Sequence, residues 1–176
     1  IFNSAFVGTS GPDSLPMCSA SHPYSPDDAA VQSNAGSTAF SATAVEATRR
    51  LGYTSIKNDR GELMEVNYDM ILCAHANEEA AWELINSSGK VNTANNNRNF
   101  HEGRYKLAVW HRLTDTNNWF MIDSVLVKKF LLWWDRVNGD FNYDRDFDTM
   151  VAKWSVYERY TAGHTAWQPV YGHNVT

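Results

Sequence analysis

Hydrophobic and polar positions alternate most regularly in the last third of the chain. Over Met150–Tyr160 one set is Met150, Ala152, Trp154, Val156 and Glu158, and the other is Val151, Lys153, Ser155, Tyr157 and Arg159. Period-two alternation with β-branched and aromatic residues predicts a long strand with two unlike faces. Two more extended aromatic runs precede it, WFMIDS at 119–124 and KKFLLWWDRV at 128–137. Trp133 and Trp134 are adjacent, so on a strand they point to opposite sides. So long a strand near the end of a modest chain belongs to an extended sheet and is not what a compact enzyme core requires.

Upstream the period changes. Thr43 and Glu46 have capping-box spacing, Val45, Thr48 and Leu51 share a helical face, and Gly52 is placed to stop the helix. Met70–Cys73 reads as a short buried strand. Asn77 caps a helix over Glu78–Asn86, whose two leading acids suit its dipole. Ala81, Trp82 and Ile85 are its expected buried stripe, and Gly89 its end. Arg104–Leu113 alternates again as a strand, and Asp115-Thr116-Asn117-Asn118 turns into Trp119. Strand, helix, loop and strand predict an α/β lobe. Residues 90–103, with Asn92, Asn95, Asn96, Asn97 and Asn99, read as a polar loop. Residues 1–40 are punctuated by Pro12, Pro16, Pro23 and Pro26, so regular structure there should be short and the segment should act as a covering or partner-contacting strip.

Composition narrows the classes. A chain of 176 residues, 43% hydrophobic and 13% aromatic, folds and buries a core. No apolar run approaches the ~18 residues that span a bilayer. Net charge is −5, and no Lys or Arg precedes Arg49, which opposes tight nucleic-acid binding. Ile1 stands where an initiator Met or a basic leader would, and reads as the start of a processed product or a fragment. Cys18 and Cys73 read as reduced thiols, with a disulfide left open.

Candidate chemistry is sparse. Asp140, Asn142, Asp144, Asp146 and Asp148 alternate like calcium ligands. The positions that require Gly and Glu hold Thr149 and Ser155 in one register, and Arg145 and Val151 in the other. A solvated acidic turn before the long strand is the expectation. The six histidines are scattered, so no metal site is expected, and His164 and His173 are placed at the surface or an interface. There is no Gly-x-Ser-x-Gly elbow, and Gly8-Thr9-Ser10-Gly11 lacks the lysine of a phosphate loop. The seven tryptophans point to core or subunit packing, with an aromatic sugar platform as the alternative.

The order of several pieces resembles the major capsid proteins of tailed bacteriophages, in particular the Mu-like branch. They are Trp119-Phe120, Trp133-Trp134-Asp135, Asp146-Phe147-Asp148, Glu158-Arg159-Tyr160, Gly163, Trp167 and Tyr171-Gly172, with Phe2–Phe6, Leu15–Ser19, His22-Pro23 and Ser33-Asn34 in the front half. The chain departs from that pattern at His75-Ala76, where the family has Pro-Pro, and in its Asn-rich loop.

The resemblance implies an α+β tailed-phage capsid fold, with a peripheral lobe holding the long C-terminal strand and an axial α/β lobe. Residues 1–40 would be the irregular cover, 41–118 mainly the axial lobe, and 119–176 strands returning to the peripheral lobe. It implies a non-enzymatic virion protein, assembled in the host bacterial cytoplasm into an icosahedral shell around double-stranded DNA. Its partners would be copies of itself in pentamers and hexamers, with scaffold, portal or decoration proteins besides, and it would need no cofactor, membrane or DNA sequence. By position, Ser88–Arg104 matches the loop near the capsomer axis. The expected assembly interface is Asn95, Asn96, Asn97, Arg98, Trp133, Trp134 and Arg159. An encapsulin-type compartment and a Trp-rich carbohydrate-binding module are the alternatives.

Overall fold

The computed structural model describes residues 1–8, 11–25, 28–90, 93–94 and 97–176, with only the backbone of Asp28 and Ala29. The fold is mixed α+β. A five-stranded sheet is built from β3 (Ala35–Gly36), β4 (Met70–Cys73), β5 (Lys106–Val109), β6 (Trp119–Ile122) and β9 (Val170–His173), in the order β3-β9-β6-β4-β5. The β3/β9 and β4/β5 pairs are parallel, and the two inner pairs are antiparallel. All four residues of β6 and of β9 are buried, as befits strands covered on both faces.

Register decides what each face carries. Ile71 pairs with Met121, Cys73 with Trp119 and Met121 with Tyr171, and these side chains share one core with Val45, Ala81, Leu84 and Ile85 from the helices. Leu72 pairs with Phe120 and Ile122 with Val170. They pack on the opposite face against Ala5, Met17 and Cys18, with Phe2 and Phe6 alongside. One face of the sheet is therefore closed by helices and the other by an irregular N-terminal strip. Cys18 and Cys73 are both free and buried in these separate cores.

Helix α1 (Ala42–Thr54) starts at Ser41, whose hydroxyl accepts from the Ala44 amide at 3.2 Å, so the cap lies two residues before Thr43. Gly52 does not stop it. The helix runs through that position, where a Cβ would stand 2.5 Å from the Val66 carbonyl oxygen, so Gly52 is there for close packing. Helix α2 (Glu78–Asn86) follows a 3-10 turn at His75–Asn77. The Asn77 side chain donates to the Asn117 carbonyl and does not cap it. Leu84 takes the buried place expected of Trp82, which is exposed, and the helix ends three residues before Gly89. β4, α2 and the parallel β5 form the expected strand-helix-strand unit, although β5 keeps only the middle of Arg104–Leu113.

The N-terminal strip holds one short hairpin, β1 (His22–Ser25) with β2 (Asp28–Gln32). Asn34, fully buried, ties this strip to the end of the chain. Its carbonyl oxygen accepts from Ser19 N at 2.8 Å, and its amide donates to Met17 O at 2.8 Å and Val170 O at 2.9 Å.

A two-stranded ribbon leaves this body. Helix α3 (Val127–Phe130) passes directly into β7 (Leu131–Arg145), which returns as β8 (Ala152–His164). The expected strand over Met150–Tyr160 is thus shifted toward the C-terminus, because Met150 has φ +57° and belongs to the turn. Conversely Asp140–Arg145, expected as turn, is paired strand, and the turn is confined to 146–151.

Candidate interaction surface

The ribbon root is fixed firmly. Asp123, buried, accepts from the amides of Val125 and Leu126 at 2.9 Å and of Asn67 at 3.1 Å, setting the turn into α3. The Thr165 amide donates to Phe130 O at 2.9 Å, closing the ribbon across its base. His164, the last residue of β8, is buried with neither ring nitrogen hydrogen-bonded, and burial holds its pKa down.

Beyond the root the ribbon is exposed along almost its whole length. Two register shifts fall in β7, between Asp135 and Val137 and between Val137 and Asp140, while β8 advances without interruption. The bulges bend β7 and restore its side-chain parity. Directly opposed residues of an antiparallel pair share a face, so the pairs Phe141/Val156, Tyr143/Trp154, Asp135/Tyr160 and Trp133/Ala162 line one side. Trp133 and Tyr160 stack there at 4.3 Å, and Tyr143 meets Trp154 at 5.5 Å. The other side carries Asp140/Tyr157, Asn142/Ser155, Asp144/Lys153 and Val137/Arg159, with Trp134 near the root. The ribbon is amphipathic, and its apolar face is open: Trp154 is 74% and Phe141 79% exposed.

The turn at the far end is ordered by its own polar groups. Asp146 N donates to Val151 O at 3.0 Å, and the Asp146 carboxylate accepts from the Asp148 amide at 3.2 Å and from Lys153 Nζ at 2.9 Å. The Lys153 bond holds the Asp146 carboxyl below its usual pKa. Between these acids Phe147 is 90% exposed.

No protein-family model and no curated protein matches the chain.

A second surface lies across the body, between α1 and the segment that follows α2. It is a groove of about 820 Å³. Ala42, Ala47 and Phe100 contribute its apolar lining, Arg49, Arg50, Lys90 and Arg98 its cations, and Glu46 is the only acid among the lining residues described, with Glu102 standing 3.8 Å from Arg98 just outside them. Arg49 binds Glu46 through two nitrogens at 2.9 Å and Arg50 adds a third bond at 2.8 Å. Hydrogen bonding from Arg49 is the main reason the Glu46 pKa is pushed down to about 2. Arg49 and Arg104 both stack on Phe100.

The residues expected at an interface fall on these two surfaces. Trp133 is on the apolar side of the ribbon, and Trp134 and Arg159 are on the polar side. Asn97 and Arg98 line the groove, where Asn97 O accepts from Lys90 N at 2.8 Å. Asn95 and Asn96 lie outside the described residues. Sequence reasoning missed Arg49, Arg50 and Lys90, whose common signal is a cluster of cations in an acidic chain.

His164 and His173 were expected at a surface, and both are buried. His173 stacks on Trp119 at 4.0 Å and shares a 2.8 Å hydrogen bond with Thr48, and burial pushes its pKa down to about 4. Among the described residues no three His, Cys, Asp or Glu side chains converge as metal ligands, and no helix is long and apolar enough to cross a membrane.

Proposed function

We propose that this chain is a structural protein that assembles with copies of itself, of the tailed-phage major capsid type, and that the ribbon is an assembly element. One observation carries the reading: the apolar face of the β7–β8 ribbon is uncovered. An isolated two-stranded hairpin is marginal in water, and a contiguous exposed apolar patch marks an interaction site. Both edges of the ribbon also carry unpaired backbone groups ready to accept another strand. The mixed α+β body and the sequence resemblance support the same assignment. In this reading heterologous contacts close five- and six-membered rings, and many weak contacts sum to a stable shell. DNA is enclosed without sequence-specific contacts, and scaffold, portal or decoration proteins join the same particle.

Sedimentation velocity over a concentration series, with negative-stain microscopy of the heaviest fraction, tests this. Rings or shells are expected. A monomer at every concentration, or a monomer that binds a glycan array through the ribbon, would overturn it.

A further inference from the structure

The groove beside α1 and the tip of the ribbon are complementary in polarity and charge. We infer that the Asp146-Phe147-Asp148 tip of one copy seats in the α1 groove of a neighbouring copy. This rests on the self-assembly reading above and names the surfaces that it joins.

The groove combines an apolar lining with an exposed cationic rim. Ala42, Ala47 and Phe100 provide the lining, with Ala47 and Phe100 open to solvent, and Arg50, Lys90 and Arg98 are exposed around it. Glu46 is engaged by Arg49 and Arg50, and Glu102 stands 3.8 Å from the exposed Arg98, so the two acids answer only part of the charge of the four cations. The volume of about 820 Å³ accommodates an aromatic side chain together with its neighbours. This is an unusual place in a chain whose net charge is −5.

The tip presents the converse. Phe147 is the most exposed large apolar side chain described, at 90%, and carboxylates flank it on both sides. Asp140 and Asp144 add to the negative charge of the same end. Arg145 and Lys153 offset it in part, Lys153 through its bond to Asp146. An apolar anchor ringed by charges that match the opposing rim is the anatomy of a small interface hot spot. Within one protomer neither surface is occupied by the other, since Phe147 remains exposed. Tip and groove are different patches, so the contact is head-to-tail. It closes into a ring or propagates.

The test uses sedimentation velocity on the intact chain. Phe147→Ala, Asp148→Lys and Arg98→Glu alter exposed side chains and should leave the fold intact by circular dichroism. Each is expected to weaken association by about tenfold. The combined variant D148K/R98E, which restores opposite charges across the contact, is expected to recover most of that loss. Raising salt should weaken wild-type association, because the rim charges are solvent-facing. A measurement on the wild type alone, hydrogen exchange in associated against dilute protein, should protect residues 146–151 and 97–101 together. If the chain assembles while the single reversals leave association unchanged, or if the combined variant fails to recover, the tip-in-groove contact is wrong and self-assembly stands. If the wild type never associates, both readings fall.

Discussion

The sheet and the ribbon both carry tryptophan and other aromatic residues on strands, and they behave in opposite ways. β6 and β9 have four residues each, all buried, whereas β7 has fifteen and β8 thirteen, almost all exposed. Trp119 lies at 0% exposure under Phe40 and His173, and Trp154 lies at 74% with one tilted Tyr neighbour. The same aromatic side chain sits on a strand in both places, and cover is what differs. The sheet has helices on one face and Phe2, Ala5, Phe6, Met17 and Cys18 of the N-terminal strip on the other, while the ribbon has neither. A pleated surface of this composition becomes stable when something packs on it, and in the proposed assembly a neighbouring copy would do so.

The largest effect should come from the covered side. Trp119→Ala removes a fully buried indole and its 3.0 Å bond to Thr38 O, and should cost about 4 kcal/mol of protomer stability. Urea unfolding measures it. A loss below about 1 kcal/mol would mean that the two regions differ less than their burial says.

Next comes the tie between the strip and the sheet. Asn34→Ala leaves the Met17 and Val170 carbonyls and the Ser19 amide without their partner inside the protein. Unmet buried groups of this kind should cost roughly 3 kcal/mol. Proteolysis should then cut the N-terminal strip before the sheet. Cleavage starting in the helices would contradict the view that residues 1–18 are held as a separate cover.

The third is set by pH and centres on His173 in the sheet. An unfolded histidine titrates near 6.5, while His173 in the folded chain is down at about 4 because burial disfavours its charged form. Between those values the unfolded chain binds the extra proton. Stability is therefore full above about pH 6.5 and drops as pH falls toward 4, by roughly 2 kcal/mol. Burial shifts His101 and His164 the same way, so they deepen the fall. The Glu46 pair contributes in a lower window, because its carboxyl stays ionised until its depressed pKa of about 2. Denaturation midpoints flat between about pH 7 and pH 5 would contradict the buried imidazoles.

What could be read in advance follows from range. Met70–Cys73 and Glu78–Asn86 announce themselves by a local run and a local period, and both stand as expected. The β8 alternation was legible from Ala152 on, and only the turn at Met150 displaced its start. The Trp82 stripe failed because Ala81, Trp82, Leu84 and Ile85 admit two neighbouring helical faces, and packing against the sheet selects Leu84. Asn34 joins residues more than a hundred positions apart, and His173 is buried by a tryptophan 54 positions away. The groove likewise brings Arg49 and Arg50 to Lys90 and Arg98. No window of local sequence contains such pairings. Trp119, Trp133, Trp134 and Trp154 were legible as strand residues, but strand character did not reveal which of them would be covered.

The smallest effect on folding should be the most telling about function. Trp154→Ala in the open ribbon removes a side chain that touches little within its own protomer, so unfolding should shift by no more than about 0.5 kcal/mol. The same change should weaken association by about a hundredfold if that indole becomes an anchor under a neighbour. The ratio matters more than either number. In the sheet a lost tryptophan should be felt at once by the monomer, and under the proposed assembly one lost from the ribbon should be felt only in association. Sedimentation and urea unfolding on the two alanine variants measure both quantities side by side. A Trp154→Ala protein that associates normally would leave the ribbon an exposed hairpin without a partner, and the contrast with the sheet would lose its functional meaning.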